Sequence, residues 1–251
     1  MDTLLELKNV SLKYHTINDE ITAVKDLSFK CKKEEFVSII GPSGCGKTTV
    51  LSLISGLLKP SDGDILFEGK NNFNHKENLG YMLQKDHLFP WRTVEKNVFL
   101  PLEIKGKLSE ENKEYALDLL KKYGLENFIK SYPHQLSGGM RQRVALIRTL
   151  VSKPKLLLLD EPFSALDYQT RLSVCDDVYK IIKAEKKSAV LVTHDISEAI
   201  SMSDVIIILT ERPAKVKTIF YPEFKSRNPL DRRELPEFSF YFEKIWKELS
   251  T

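Results

Sequence analysis

The sequence predicts an α/β protein: a P-loop-bearing parallel-sheet core, an N-terminal antiparallel β subdomain, and an inserted helical subdomain. Three observations carry this. Apolar runs without alternation, "EEFVSII", "KLLLLDEP", "SAVLVTH" and "DVIIILT", are the pattern of strands buried on both faces, and helical stretches separate them. Residues 4–31 contain runs that alternate apolar and polar, as half-buried strands do. Residues 85–150 read as helices joined by turns.

Taken in order, "LLELKNVSLKY" places Leu5 and Leu7, then Val10, Leu12 and Tyr14, in two alternating runs whose parity shifts around Asn9. "AVKDLSFKC" continues the antiparallel pattern, and "EEFVSII" is a buried strand leading into glycines. "KTTVLSLISGLL", residues 47–58, has helical spacing and is stopped by Lys59-Pro60 and Ser61-Asp62-Gly63. "GDILFEGK" returns to the first sheet as a short strand. "TVEKNVFLPLEI", "SEENKEYALDLLKKYGL" and "MRQRVALIRTLV" form the helical insert. After Pro154 the chain alternates strand, helix near 168–186, strand, helix "ISEAISMS" and the last anticipated strand "DVIIILT".

The expected organisation is one unit over 1–251. Residues 1–84 and 151–215 form the core with its β subdomain, 85–150 the helical subdomain, and 216–251 a tail. In that tail Leu235, Phe238, Phe242, Ile245 and Leu249 share one helical stripe, which fits docking on the protein's own core better than a partner or membrane surface.

Charge and composition narrow the function classes. With 38 basic and 35 acidic residues, the net charge of +3 is too balanced to imply nucleic-acid binding. "MDTLLELKNV" lacks the apolar stretch of a secretory signal, and "LLLL" and "VIIIL" fall far short of the ~20 residues that span a bilayer. Cys31, Cys45 and Cys175 have no metal-ligand spacing and fit a reducing compartment. Cys45 is either a thiol made reactive by its loop or a small residue tolerated in a tight turn.

"GPSGCGKT", Gly41 to Thr48, matches G-x-x-x-x-G-K-S/T between a strand and a helix. Glycines let the amides of Gly41, Pro42, Ser43, Gly44, Cys45, Gly46, Lys47, Thr48 and Thr49 (Pro42 contributing no N–H) curl around phosphates. Lys47 supplies a point charge, Thr48 offers a hydroxyl to Mg²⁺, and the helix dipole adds to both. "LLLLDEP" ends a strand in Asp160, placed to hold Mg²⁺, and in Glu161, a candidate to polarise an attacking water. An Asp-Glu pair after a strand is also what a solvated loop looks like; the phosphate loop is what gives it weight.

A second glycine-rich helix start, "LSGGMRQR", raises the question of why one chain carries two anion sites. Ser137 is a natural N-cap, and Gly138 and Gly139 leave backbone amides bare. Read alone, it is a capped helix or a phosphate site within the same chain.

Together these segments resemble the ATP-binding-cassette (ABC) ATPases over nearly the whole chain, with "LSGGMRQR" as the signature motif ahead of "LLLLDE". The resemblance implies an ATPase in which two copies meet head to tail, so that Ser137, Gly138 and Gly139 address the ATP held by the partner's loop. It further implies Tyr14 stacking on adenine, Gln84 approaching Mg²⁺ and water, Asp167 of "SALD" facing the partner, and His194 sensing the γ-phosphate. On the residues alone, Tyr14 is a strand-face tyrosine and His194 a cap for the next helix. Met140 stands where many relatives have glutamine, at a position that makes none of these contacts.

"LQKDHLFPWRTVEKNV" and "TERPAKV" resemble importer ATPases of the nitrate/sulfonate/taurine type. That implies ATP and Mg²⁺ as ligands, a homodimer under two membrane-spanning permease subunits at the cytoplasmic face, an external solute-binding protein acting indirectly, and no nucleic acid. Leu88, Phe89, Pro90 and Trp91 are either part of the groove for the membrane subunit or packing within the helical insert. An exporter ATPase, or a soluble cassette ATPase outside transport, is the alternative. The length after "DVIIILT" is too short for the regulatory domain of some sugar importers.

Overall fold

The structure is a computed structural model that describes residues 2–15, 19–71, 76–226 and 228–250. Strands β1 (Thr3–His15) and β2 (Glu20–Lys32) pair antiparallel, and β1 also pairs antiparallel with Asp62–Phe67. At Asn9 the backbone is left-handed (φ 48°) and the register slips between Leu7 and Val10. This irregularity is the parity shift expected from sequence: it keeps Leu5, Leu7, Val10 and Leu12 all buried. Gly63 lies across it, where a Cβ would sit 2.3 Å from the Asn9 carbonyl oxygen, so only glycine fits.

The strand β3 (Phe36–Ile40) enters helix α1 (Lys47–Ile54), which ends four residues before the expected Leu58 because the chain turns at Gly56 (φ 70°). β4 (Asp62–Phe67) and β5 (Lys70–Asn71) complete the first sheet, ordered β2-β1-β4-β5.

The second sheet adds β6 (Leu79–Met82), β7 (Leu156–Asp160), β8 (Ser188–Val192) and β9 (Val205–Leu209) to β3, all parallel. Its order is β10-β9-β3-β8-β7-β6, with β10 (Val216–Phe220) antiparallel on the edge beside β9. That edge strand was not anticipated: it falls in the segment read as tail, is short and half exposed, and carries Lys217. The sheet is therefore mixed rather than wholly parallel.

Helices α2 (Val94–Ile104), α3 (Glu110–Lys122) and α4 (Gly138–Leu150) lie between β6 and β7 in the chain. They share one apolar cluster with Leu157, Leu159 and Leu191 on one face of the large sheet. The opposite face, through Leu156, Leu158, Val190 and Val192, packs with α1 and the first sheet. Alternate residues of β7 thus anchor both layers, each buried leucine contributing about 1.5–3 kcal/mol. The strand end carrying Asp160 is held from both sides.

Helices α5 (Tyr168–Ala184), α6 (Ile196–Met202), α7 (Pro229–Glu234) and α8 (Pro236–Ser250) complete the fold. α8 lays Phe238, Phe242, Ile245 and Leu249 on Ile40, Ile196, Ile200, Ile206 and Ile208, whereas Leu235, expected on the same stripe, ends α7 as its C-cap and lies outside this cluster. The short α7, which the sequence did not flag, buries Arg232. Its guanidinium donates to the carbonyls of Ser201 and Ser203 and lies over Tyr179 and Phe224.

Candidate active site

The loop 41–48 joins the end of β3 to the start of α1. Gly44 (φ 74°) and Gly46 (φ 120°) take backbone conformations that side chains disfavour. The Lys47 ammonium, largely buried, donates to the carbonyl oxygens of Gly41 (2.9 Å) and Pro42 (3.0 Å), which holds its charge inside the loop. Arg212, from the "TERPAKV" stretch, braces the loop from outside by donating to Gly44 O at 3.1 Å.

Asp160 ends β7 with 8% exposure, and its carboxylate accepts from Thr48 Oγ1 (3.2 Å) and Tyr81 OH (3.3 Å). Burial raises its proton affinity above the ordinary aspartate range, opposed by those two hydrogen bonds, while neighbouring Glu161 pushes the same way as burial. Thr48 and Asp160 form a compact set of hard oxygen donors. Among the described residues there is no cluster of three or more His, Cys, Asp or Glu fit to hold a metal. Such a sparse oxygen set suits Mg²⁺, which keeps waters and substrate phosphates as its remaining ligands.

Glu161 stands at left-handed φ 45°, a conformation that costs a non-glycine residue on the order of 1–3 kcal/mol. It is held there by its N–H donating to Val192 O (2.9 Å) and by Ser164, whose N–H and hydroxyl both donate to Glu161 O. Its Oε2 lies 3.1 Å from His194 Nδ1. Gln84 Nε2 donates to Ser164 Oγ at 3.3 Å, so Gln84 joins the Glu161 loop, not the Thr48–Asp160 pair. His194 does not cap α6. That role falls to Asp195, whose Oδ1 accepts from the N–H groups of Ser197 and Glu198.

Tyr14, 40% exposed, pairs with Ile21 beside the His15–Glu20 pair, at the end of the ladder where β1 connects to β2, and Ala23 of β2 borders Gly46. Cys45 is 1% exposed, and burial raises its thiol's proton affinity against the opposing pull of Lys47. The small-residue reading of Cys45 holds and the reactive-thiol reading does not.

Ser137 N-caps α4, its hydroxyl accepting from Met140 N at 3.3 Å. A Cβ on Gly138 would sit 2.9 Å from Leu166, and one on Gly139 2.7 Å from Val174. The glycine pair therefore also serves close packing of α4 on α5 and on the loop before it. Asp167 N-caps α5 by accepting from Thr170 N, and hydrogen bonding from the Thr170 side chain, then from its backbone, holds the Asp167 carboxyl below the usual range. Among the described residues, no hydrogen bond joins Ser137, Gly138 or Gly139 to the loop 41–48.

The apolar run after Gln84 divides. Leu88 is buried in the helical core, while Phe89 and Trp91 stack at 4.9 Å with Trp91 70% exposed. Buried Asn97 fixes this corner by donating to the carbonyls of Phe89, Arg92 and Thr93. Sequence reasoning passed over Tyr81, Ser164 and Arg212. Tyr81 carries no local signal; it becomes legible only once β6 pairs with β7 and places it beside Leu158.

Comparison with known proteins agrees with this geometry. The family model described as "ABC transporter" matches residues 24–164. The "Uncharacterized ABC transporter ATP-binding protein YtlC" of Bacillus subtilis (strain 168) is 50% identical, with 99% of this chain and 96% of that protein covered. An "Aliphatic sulfonates import ATP-binding protein SsuB" of Bacillus cereus is 35% identical, over 94% of this chain and 96% of that one. Among solved structures, the dimeric post-hydrolysis state of the ATP-binding cassette MJ0796 bound to ADP and Pi superposes with a TM-score of 0.73. It is 34% identical and covers 88% of this chain and 100% of its own.

Proposed function

This chain belongs to the ABC transporter family of ATP-binding, ATP-hydrolysing proteins, and we propose that it is the ATPase subunit of a membrane importer, working as a homodimer on two permease subunits. The observation that carries the proposal is the split site. The residues for ATP and water, Lys47, Thr48, Asp160, Glu161 and His194, gather at the ends of the parallel strands. Ser137, Gly138 and Gly139 present a capped helix start with no hydrogen bond to that loop among the described residues. A second copy, head to tail, gives the signature a nucleotide to address and each nucleotide its second half.

In this reading the loop amides and Lys47 bind the β- and γ-phosphates, and Tyr14 stacks on the adenine. Thr48 and Asp160 would hold Mg²⁺, which supplies charge neutralisation at the phosphates, while Gln84 is tied through Ser164 to the Glu161 loop. Glu161 polarises the attacking water, and His194, touching Glu161, orients water and γ-phosphate. A positioned base of this kind contributes about 10²–10⁴ in rate. Closure gains its free energy from contacts to the γ-phosphate that hydrolysis removes, and that difference is what moves a partner. Asp167 faces the opposite subunit.

Importer direction and a small, anionic, sulfonate-like solute are supported by the similarity to an aliphatic-sulfonate import ATPase and by Trp91, exposed beside the Gln84 loop as a docking point for the membrane subunit. The cytoplasmic face of the membrane follows from that partner. Among the described residues no helix is long and apolar enough to cross a bilayer. The test is affinity capture of the tagged chain from detergent-solubilised native membranes, with co-purifying chains identified by mass spectrometry. A multi-spanning protein is the expected partner; ribosomal proteins or nucleic acid, without a membrane chain, would overturn the transporter reading.

A further inference from the structure

Two loops carry the residues that handle water: 161–167, with Glu161 at its start, and 193–195, with His194 at its centre. They touch through Glu161 Oε2 and His194 Nδ1 at 3.1 Å. Arg171, in the first turn of α5, bridges the same two loops a second time. Its Nη2 donates to Leu166 O at 3.0 Å, and its Nη1 donates to Asp195 Oδ2 at 3.4 Å.

Both anchors of this brace are themselves fixed. Asp195 uses its other oxygen to cap α6, and its N–H donates to Thr193 Oγ1 at 3.0 Å. The Thr193 hydroxyl in turn donates to the buried Glu198 carboxylate at 2.5 Å, and Glu198 Oε1 lies 3.9 Å from Arg171 Nε. Leu166 is held by its N–H donating to Phe163 O, and its side chain packs over Gly138. Residues on either side of His194 are therefore tied, through one guanidinium, to the loop that begins at Glu161.

We propose that Arg171 is a positioning residue for ATP hydrolysis: with Asp195 and Glu198 it sets the separation of the Glu161 and His194 loops. The inference rests on the roles proposed above for Glu161 and His194. Arg171 touches neither the phosphate loop nor Asp160 among the described residues, so its loss acts on geometry and leaves the nucleotide's binding contacts in place. A planar fork that spans a carbonyl and a carboxylate is a task for arginine; lysine, with a single point charge, reaches one partner at a time.

The test is a double-mutant cycle on single-turnover ATP hydrolysis by the purified full chain, with ATP affinity measured separately. Arg171→Ala should lower the rate at saturating ATP by on the order of tenfold or more, since displacements of about 1 Å at a reacting centre cost as much. ATP affinity should stay within about twofold, the change expected when no binding contact is lost. Arg171→Lys, which keeps the charge and much of the volume, should fall between. In a His194→Ala background, Arg171→Ala should add little, because residues acting through one another are not additive.

A wild-type rate for Arg171→Ala would overturn the proposal. So would a full, multiplicative loss in the His194→Ala background, or equal loss of ATP binding and rate in both Arg171 variants, the mark of a purely structural role. If His194→Ala alone turned over normally, the reading of His194 would fail first and this inference with it. A slow His194→Ala beside an unaffected Arg171→Ala would sink the brace alone.

Discussion

Glu198→Gln isolates the free energy of burying one carboxylate. Glu198 is 3% exposed, and burial, helped by the nearby charge of Asp195, pushes its carboxyl up to about 7 from an ordinary 4.5. The Thr193 hydroxyl, Arg171 and His194 pull the other way without cancelling it. A carboxyl with a raised folded-state value binds its proton more tightly folded than unfolded. Stability is therefore fully present below pH 4.5, is lost as pH rises from 4.5 to about 7, and is level above that. At about 1.4 kcal/mol per pH unit, the wild type gives up roughly 3 kcal/mol across this window.

Glutamine keeps the shape, and its amide oxygen can still accept from Thr193, but it never ionises. The stability of Glu198→Gln minus that of the wild type should therefore grow by roughly 3 kcal/mol between pH 4.5 and 7.5 and then flatten. Paired urea titrations at several pH values measure it, and titrating groups that do not interact with Glu198 cancel in the difference. A difference independent of pH would refute the argument. A variant that loses most at pH 8 would do so more pointedly, since it would mean the ionised carboxylate is stabilised by Arg171 more than it is penalised by burial.

Other substitutions test the site itself. Glu161→Gln should lower turnover by about 10²–10⁴ and accumulate an ATP-bound dimer visible by light scattering; near-normal turnover would remove Glu161 from its role. Ser137→Arg should leave ATP binding to the loop 41–48 intact, as read by a fluorescent nucleotide, and abolish hydrolysis. If binding fails as well, the signature serves its own chain's nucleotide and the composite site is wrong. Cys31, Cys45 and Cys175 are all buried with thiols less acidic than a free cysteine, so a thiol reagent at neutral pH should label the native protein slowly and the unfolded chain at all three. Rapid labelling of Cys45 alone would show that the loop opens.

What could be read along the chain was whatever depends on contiguous residues. A phosphate loop needs Gly41, Gly44, Gly46, Lys47 and Thr48 within the one short segment 41–48, because neighbouring amides must converge on one anion. The buried strands announced themselves because a strand covered on both faces has no polar side to present. The parity break at Asn9 and the apolar stripe of α8 were legible for the same reason: each is a period, and a period is local.

The rest depended on which distant segments meet. Tyr81 reaches Asp160 only because β6 lies beside β7. Glu161 meets His194 only because β7 lies beside β8 and both loops leave the same sheet edge. The sequence offered the two glycines after Ser137 as bare amides, and packing gave them a further reason in the nearness of Leu166 and Val174. The edge strand β10 escaped notice because a short strand half open to water has too weak a pattern to read. Arg171 is an ordinary helix-surface arginine in the sequence. Its place between two loops follows from the parallel register that sets α5 beside α6, a long-range pairing that no local propensity encodes.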